Sequence, residues 1–369
     1  MSARAAGIPA FPLALPLVFA LALGSPAAHS QNAPDNAPQK APGGLSASRQ
    51  PSPPAVDVVA GVLPRRWLSE GTRCVDIPEW QVEEYNPNLF ILRQSPCTDY
   101  EKPFIFLFFG QERALLLDTG SQNGNLLPSL QRTIKVWLVR NRRESIPLIV
   151  VHTHEHGDHT AGDAPIQTLH DPAMPVTFVA AEVEATKRFY GIAEWPEETG
   201  HVDLGGRVLD LIPTPGHSAA SVALYDRQTG ILFSGDTVYP GRLYVADFPA
   251  YLQSIERLVH FTADKPIAHI IGNHIEQTAA PFLVYPVGTI FQTDEHSLPL
   301  SRGSLLELEG ALVAMQSAPR RAALRDFSVW PALPDGRIYT PEERARINAY
   351  TEEQKRSIKL TPLNIKEQH

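Results

Sequence analysis

The segment Val151-His152-Thr153-His154-Glu155-His156-Gly157-Asp158-His159-Thr160 concentrates imidazole and carboxylate side chains in one short stretch. In an extended backbone, side chains two apart point the same way, so His154 and His156 can converge on one cation. Gly157 then permits a sharp turn. Asp158 and His159 can open a helix beyond it, Asp158 near the positive N-terminus, and serve a neighbouring ion. Three further residues offer a second coordination half. His217 lies in Pro213-Thr214-Pro215-Gly216-His217-Ser218, Asp236 in Phe233-Ser234-Gly235-Asp236-Thr237, and His274 in Ile271-Gly272-Asn273-His274-Ile275. An isolated histidine is more often structural than ligating. Here each residue stands beside a glycine or proline that shapes its loop.

The surrounding pattern supplies the elements that must position these groups. Residues 146–152 form a buried β-run that delivers the histidine segment. Residues 104–109 and 113–118 read as a hairpin across Gly110-Gln111. Strands are also expected at 176–180, 208–212, 221–225, 231–234 and 268–271. Helical spacing of apolar residues appears at 126–140, 182–190, 250–260 and 305–315, with Pro128 near the start of the first. All candidate ligands therefore sit at or just past strand ends, the edge where open α/β architectures bind ligands. Mixed β-runs with helices between them point to layered sheet and helix packing.

Together with Asp118, in Leu115-Leu116-Leu117-Asp118-Thr119-Gly120, this set closely resembles the metallo-β-lactamase superfamily, and specifically its HxHxDH branch. The resemblance spans residues from about 70 to about 300. It implies an α/β protein built as an αββα sandwich, with the metals at one edge between the sheets; a helical C-terminal extension follows. It implies that one zinc takes His154, His156 and His217, and the other Asp158, His159 and His274. Asp236 would bridge the two, together with a water or hydroxide. Imidazole and carboxylate ligands without thiolate suit zinc, while iron and manganese are chemically open. Asp118 is expected as a hydrogen-bond partner that orients a ligand, and Asp118 and Asp158 as groups that handle protons.

The implied chemistry is attack of a metal-bridging hydroxide on the carbonyl of a small-molecule ester, thioester, lactone or cyclic amide. A bridging carboxylate at Asp236 looks more like glyoxalase II and its hydrolase relatives than like the β-lactamases proper, which usually lack one. A single-iron, persulfide dioxygenase-like oxidoreductase that retains unused ligands is the competing class. His152 is read as a core residue and Glu155 as solvent-facing. Tyr239, Arg242, Tyr244, Asp247, Glu276 and Tyr285 follow the later ligands, where loops could line the mouth of the site. Each is read individually as structural and kept outside the ligand set.

Composition bounds the rest. The 369 residues carry 32 Lys and Arg against 40 Asp and Glu, a formal charge of −8. An acidic chain without a basic block disfavours nucleic-acid binding. Residues 1–30 read as a signal peptide, with Arg4, an apolar run over 11–23 and Ala28-His29-Ser30 as a cleavage context. Periplasmic or secreted localisation follows, with no membrane association after cleavage. Residues 31–64 read as a disordered Pro/Ala-rich linker, 65–300 as the catalytic domain and 301–369 as a helical or irregular extension. Cys74 and Cys97 are a natural disulfide pair in an oxidising compartment, with two free thiols as the alternative. Nothing in the sequence assigns an oligomeric state.

Overall fold

The computed structural model describes residues 58–69, 74 and 77–366, with side chains up to residue 358. The expected signal peptide and most of the expected linker lie outside these residues. The chain forms β1 (Trp80–Asn86), β2 (Leu89–Gln94), β3 (Phe104–Phe109), β4 (Ala114–Leu117), α1 (Leu127–Arg140), β5 (Leu148–Val151), α2 (Gly157–Thr160), α3 (Asp163–Gln167) and β6 (Val176–Phe178). The six strands pair in that order as one sheet. Next come α4 (Val183–Tyr190), β7 (Gly200–Asp203), β8 (Val208–Pro213), β9 (Val222–Asp226), β10 (Ile231–Gly235), β11 (Arg242–Val245), α5 (Phe248–Phe261) and β12 (His269–Gly272). A second sheet takes the order β12-β10-β9-β8-β7. The chain continues through α6 (Arg302–Met315), β13 (Ala322–Ala323), β14 (Ser328–Pro331) and α7 (Pro341–Lys366).

Strand parity explains why two sheets stack with helices outside. In β3 the rings of Phe104, Phe106 and Phe108 join one core cluster, which reaches Leu209, Leu211, Leu224 and Phe233 of the second sheet. The alternate residues Ile105, Leu107 and Phe109 face Leu130, Ile134 and Trp137 of α1. The second sheet repeats the device: Ala223 and Tyr225 face Tyr251 and Ile255 of α5 and Leu305 and Leu308 of α6. A strand apolar on both faces must be covered on both, and the αββα layering results. Each such side chain, withdrawn from water, contributes about 1.5–3 kcal/mol. Polar clasps cross the same core. Arg207 donates to both oxygens of buried Asp226, at 3.2 and 2.6 Å, while its guanidinium lies 5.1 Å over the Phe108 ring.

The sheets also align the site. β4 and β5 are parallel, as are β10 and β12. β8 and β10 are each antiparallel to β9, and so run alike. The loops leaving β4 and β5 in one sheet, and β8, β10 and β12 in the other, carry all the candidate ligands.

Two expectations need correction. Residues 58–64, placed in the linker, already lie on the fold: Val59 donates its amide to the Gln228 carbonyl and Val62 to that of Tyr85. The extension over 301–369, read as helical or irregular, also carries a strand, β14, which pairs parallel with β11 from Arg242↔Ser328 to Val245↔Pro331. Helix α7 then starts at a reciprocal cap, in which the Glu343 amide donates to Thr340 Oγ1 and the Thr340 amide to Glu343 Oε2. Cys74 and Cys97 are joined as a disulfide.

Candidate metal centre

Local backbone brings the ligand-type residues to their places. His156 is extended (φ −65°, ψ 152°) immediately before α2, so the chain turns from β-like to helical between His156 and Asp158. Gly216 sits at φ +138°, and a Cβ there would stand 2.4 Å from the Tyr251 Cα. Only glycine lets the loop after β8 press against α5 and aim His217 inward.

Two donor sets result. In the first, His156 Nδ1 lies 3.0 Å from both His154 Nε2 and His217 Nε2. In the second, Asp158 Oδ2 lies 3.3 Å from His159 Nε2 and 3.2 Å from His274 Nε2. Asp236 faces both. Its Oδ1 is 3.5 Å from His159 Nε2 and 3.4 Å from His274 Nε2, and its Oδ2 is 3.8 Å from His217 Nε2. Ligand atoms about 2.0–2.1 Å from a tetrahedral zinc stand roughly 3.3 Å apart, which these spacings approach. His159 Nε2, His274 Nε2 and Asp236 Oδ1 are buried with no hydrogen-bond partner. Stranding three polar atoms against one another is costly unless a cation compensates them. The donor set fits a divalent metal.

The far side of each ring is tied down. A carbonyl can only accept, so His217 Nδ1 donates to the Tyr244 carbonyl (2.9 Å) and His274 Nδ1 to that of Glu101 (3.0 Å). His159 Nδ1 donates to Asp118 Oδ2 at 3.0 Å. Thr153 Oγ1 donates to Asp118 Oδ2 (2.9 Å), leaving its lone pair for His154 Nδ1 (3.1 Å). These bonds fix the tautomers that present lone pairs inward. Asp118 is fully buried and also accepts from the Thr153 amide at 2.8 Å and Asn273 Nδ2 at 2.6 Å. Its carboxylate is spent on orientation.

Electrostatics divide the two sets. Burial, with His159 and His217 nearby, holds His154 well below the usual imidazole range, and burial also lowers His217. In the second set burial opposes protonation too, but Asp158, Asp236 and Asp118 hold His159 well above that range. Burial is likewise outweighed at His274, which Asp236 and Asp158 push up to about 9. Against its own burial, Asp158 is held well below the carboxylate range, with His159 the main opposing charge. Without an ion, protons concentrate where a second cation would sit, and a metal would displace them.

The donor sets open into a cavity of about 360 Å³. Tyr239, Arg242, Tyr244 and Glu276 line it, as does the Tyr100-Glu101-Lys102 segment just past Cys97. Asp247 instead accepts from the Ala250 amide as the cap of α5, and the Tyr285 hydroxyl accepts from the Asp294 amide. His152 is buried with Nε2 3.0 Å from Asp163 Oδ1, apart from the ligand groups. Glu155 is exposed and accepts from Ser218 Oγ. Asn273 and Thr153, which hold Asp118, escaped the sequence reading although each adjoins a ligand. Burial beside Asp158 and Asp99 pushes Glu101 up to about 8, and burial lowers Lys102 to about 8.

The sequence model of the metallo-beta-lactamase superfamily matches residues 101–311. The chain is 28% identical over 234 residues to the acyl-coenzyme A thioesterase MBLAC2 of Homo sapiens, covering 55% of this chain and 84% of that protein. It is 30% identical over 121 residues to a hydroxyacylglutathione hydrolase of Rhizobium meliloti (strain 1021), covering 32% of this chain and 45% of that protein. A solved metallo-beta-lactamase from Pontibacter korlensis aligns at 17% identity and a TM-score of 0.43, over 63% of this chain and 99% of the other. The chain belongs to the metallo-β-lactamase superfamily, as one of its hydrolases.

Proposed function

We propose that this protein is an exported hydrolase that holds two zinc ions and cleaves a small-molecule acyl thioester. One observation carries the reading: Asp236 turns Oδ1 toward one donor set and Oδ2 toward the other, and its Oδ1, His159 Nε2 and His274 Nε2 are buried without a hydrogen-bond partner. His154, His156 and His217 would hold one ion, and Asp158, His159 and His274 the other, with Asp236 shared. When bound, such a pair supplies a water ionised near neutrality and polarises a carbonyl.

The chain's own groups do the remainder. Asp118 and Thr153 keep His154 and His159 in the required tautomers. Tyr100, Tyr239 and Tyr244 narrow the cavity and exclude bulk water around a bound acyl group. A departing thiolate has a parent pKa of about 8.5, so it leaves near neutral pH with little help from a proton donor. The two relatives act, by name, on acyl-coenzyme A and hydroxyacylglutathione, both acyl groups on a thiol carrier. Export rests on the expected signal segment, and the Cys74–Cys97 bond suits an oxidising compartment. Among the described residues no helix is long and apolar enough to cross a membrane.

The test is metal analysis of the purified protein, with a screen against a thioester, an aryl ester, a lactone and a β-lactam. About two zinc per chain and preferential thioester turnover are expected. His274→Ala or Asp158→Ala should lose about one ion and most activity. One iron per chain, or full turnover in either variant, would overturn the assignment.

A further inference from the structure

The superfamily match ends at residue 311, yet the cavity is closed by residues beyond it. Ile338, Tyr339 and Arg344 form part of its wall. Tyr339 is linked to the metal side through one intermediary, because its hydroxyl meets that of Tyr244 at 2.5 Å and the Tyr244 carbonyl holds His217. Arg344 stands in the first turn of α7 with its guanidinium 4.7 Å above the Tyr339 ring. Nearby arginines are spoken for. Arg242 pairs with Glu276 at 3.3 Å, and Arg321 takes both oxygens of Glu343 at 2.6 and 2.9 Å while stacked on Trp330. Glu343, the acid adjacent to Arg344, is thereby used up. Among the described residues Arg344 has no ion-pair partner.

We infer that Arg344 anchors an anionic group, a carboxylate or a phosphate, on the thiol carrier of the substrate. This rests on the thioester reading above. Of the carboxylates on the cavity wall, Asp158 and Asp236 are already committed to the proposed ions and Glu276 to Arg242. Of the two arginines on the cavity wall, Arg344 alone lacks a carboxylate partner among the described residues, so it is the one left to hold an anionic carrier whose acyl end lies at the donor sets. Stacking on Tyr339 orients the guanidinium before the ligand arrives and lowers the ordering cost of a charge-assisted hydrogen bond. Arg344 is exposed at the rim, so its replacement leaves the core intact.

The experiment measures binding without turnover. The zinc-loaded protein is titrated calorimetrically with three unreactive thioethers: S-methyl-coenzyme A, S-methylglutathione and neutral S-methyl-N-acetylcysteamine. Arg344→Gln should weaken at least one anionic thioether roughly tenfold and leave the neutral one unchanged, with most of the affinity restored in Arg344→Lys. Loss confined to the coenzyme A probe assigns a phosphate, and loss confined to the glutathione probe a carboxylate. Equal binding of all three probes by Arg344→Gln and the parent protein overturns the inference. So does equal weakening of the neutral probe, or failure of both anionic probes to bind the parent. Hydrolysis assayed separately keeps the two readings apart: turnover that ignores Arg344 sinks only the anchor, and Arg344-dependent binding without thioester turnover sinks only the proposed activity.

Discussion

Asp118→Asn probes how far the second donor set depends on a residue that does not face the cavity. The substitution suits the site sterically, because Asp118 sits at φ +69°, a left-handed conformation that asparagine tolerates. It replaces one carboxylate oxygen by an amide nitrogen in a fully buried position. Three donors now converge on Oδ2, from Thr153 at 2.9 Å, Asn273 at 2.6 Å and His159 at 3.0 Å, and the Thr153 amide takes Oδ1. Whichever way the new amide turns, an N–H group faces another donor, and His159 loses its anionic partner. Removing such a support costs about 10- to 100-fold in metal affinity, or roughly 1.4–2.7 kcal/mol. The loss should fall mainly on the ion held by Asp158, His159 and His274. Competition with a chromophoric zinc chelator, read as two binding steps, is the assay. One step should weaken, and the step belonging to His154, His156 and His217 should move less. Two unaltered steps would refute the argument that Asp118 orients His159.

Two other substitutions test separate links. Gly216→Ala forces a methyl against the Tyr251 backbone at a positive φ and should destabilise the fold by about 3 kcal/mol while displacing His217; denaturant unfolding and zinc content should fall together. Replacing Cys74 and Cys97 by serine opens a loop with a sequence separation of 23, worth about 3 kcal/mol in the chain-entropy model. Chemical denaturation of that variant should match the reduced parent protein, and an unchanged midpoint would mean that the cross-link adds no stability.

The candidate donor residues are readable because they stand in short loops at strand ends. His154 to His159 follow one buried strand, and His217, Asp236 and His274 each lie within two residues of a glycine. The hairpin of β3 and β4, the helix α1 and the strands β8 to β10 were readable from apolar periodicity within a residue or two at most ends. The first hairpin, β1 and β2, was not, since polar residues such as Glu83 and Glu84 interrupt its pattern. The pairing of β14 with β11 was not either. Four residues ending in proline carry little strand signal, and their partner lies far away in the chain. The cavity wall around Tyr339 depends on that pairing, so it stayed hidden with it. Asn273 was overlooked for a different reason: its value lies in a hydrogen bond to Asp118, which only the meeting of two sheets creates.

The return of β14 beside β11 has an evolutionary corollary. The proposed metal donors come from loops of the two main sheets, whereas part of the chamber wall, Ile338, Tyr339 and Arg344, comes from the segment and helix that follow β14. Mutations between residues 332 and 350 can therefore reshape what enters while leaving the proposed metal donors in place. Such a division lets an inherited reaction centre be paired with a replaceable sieve.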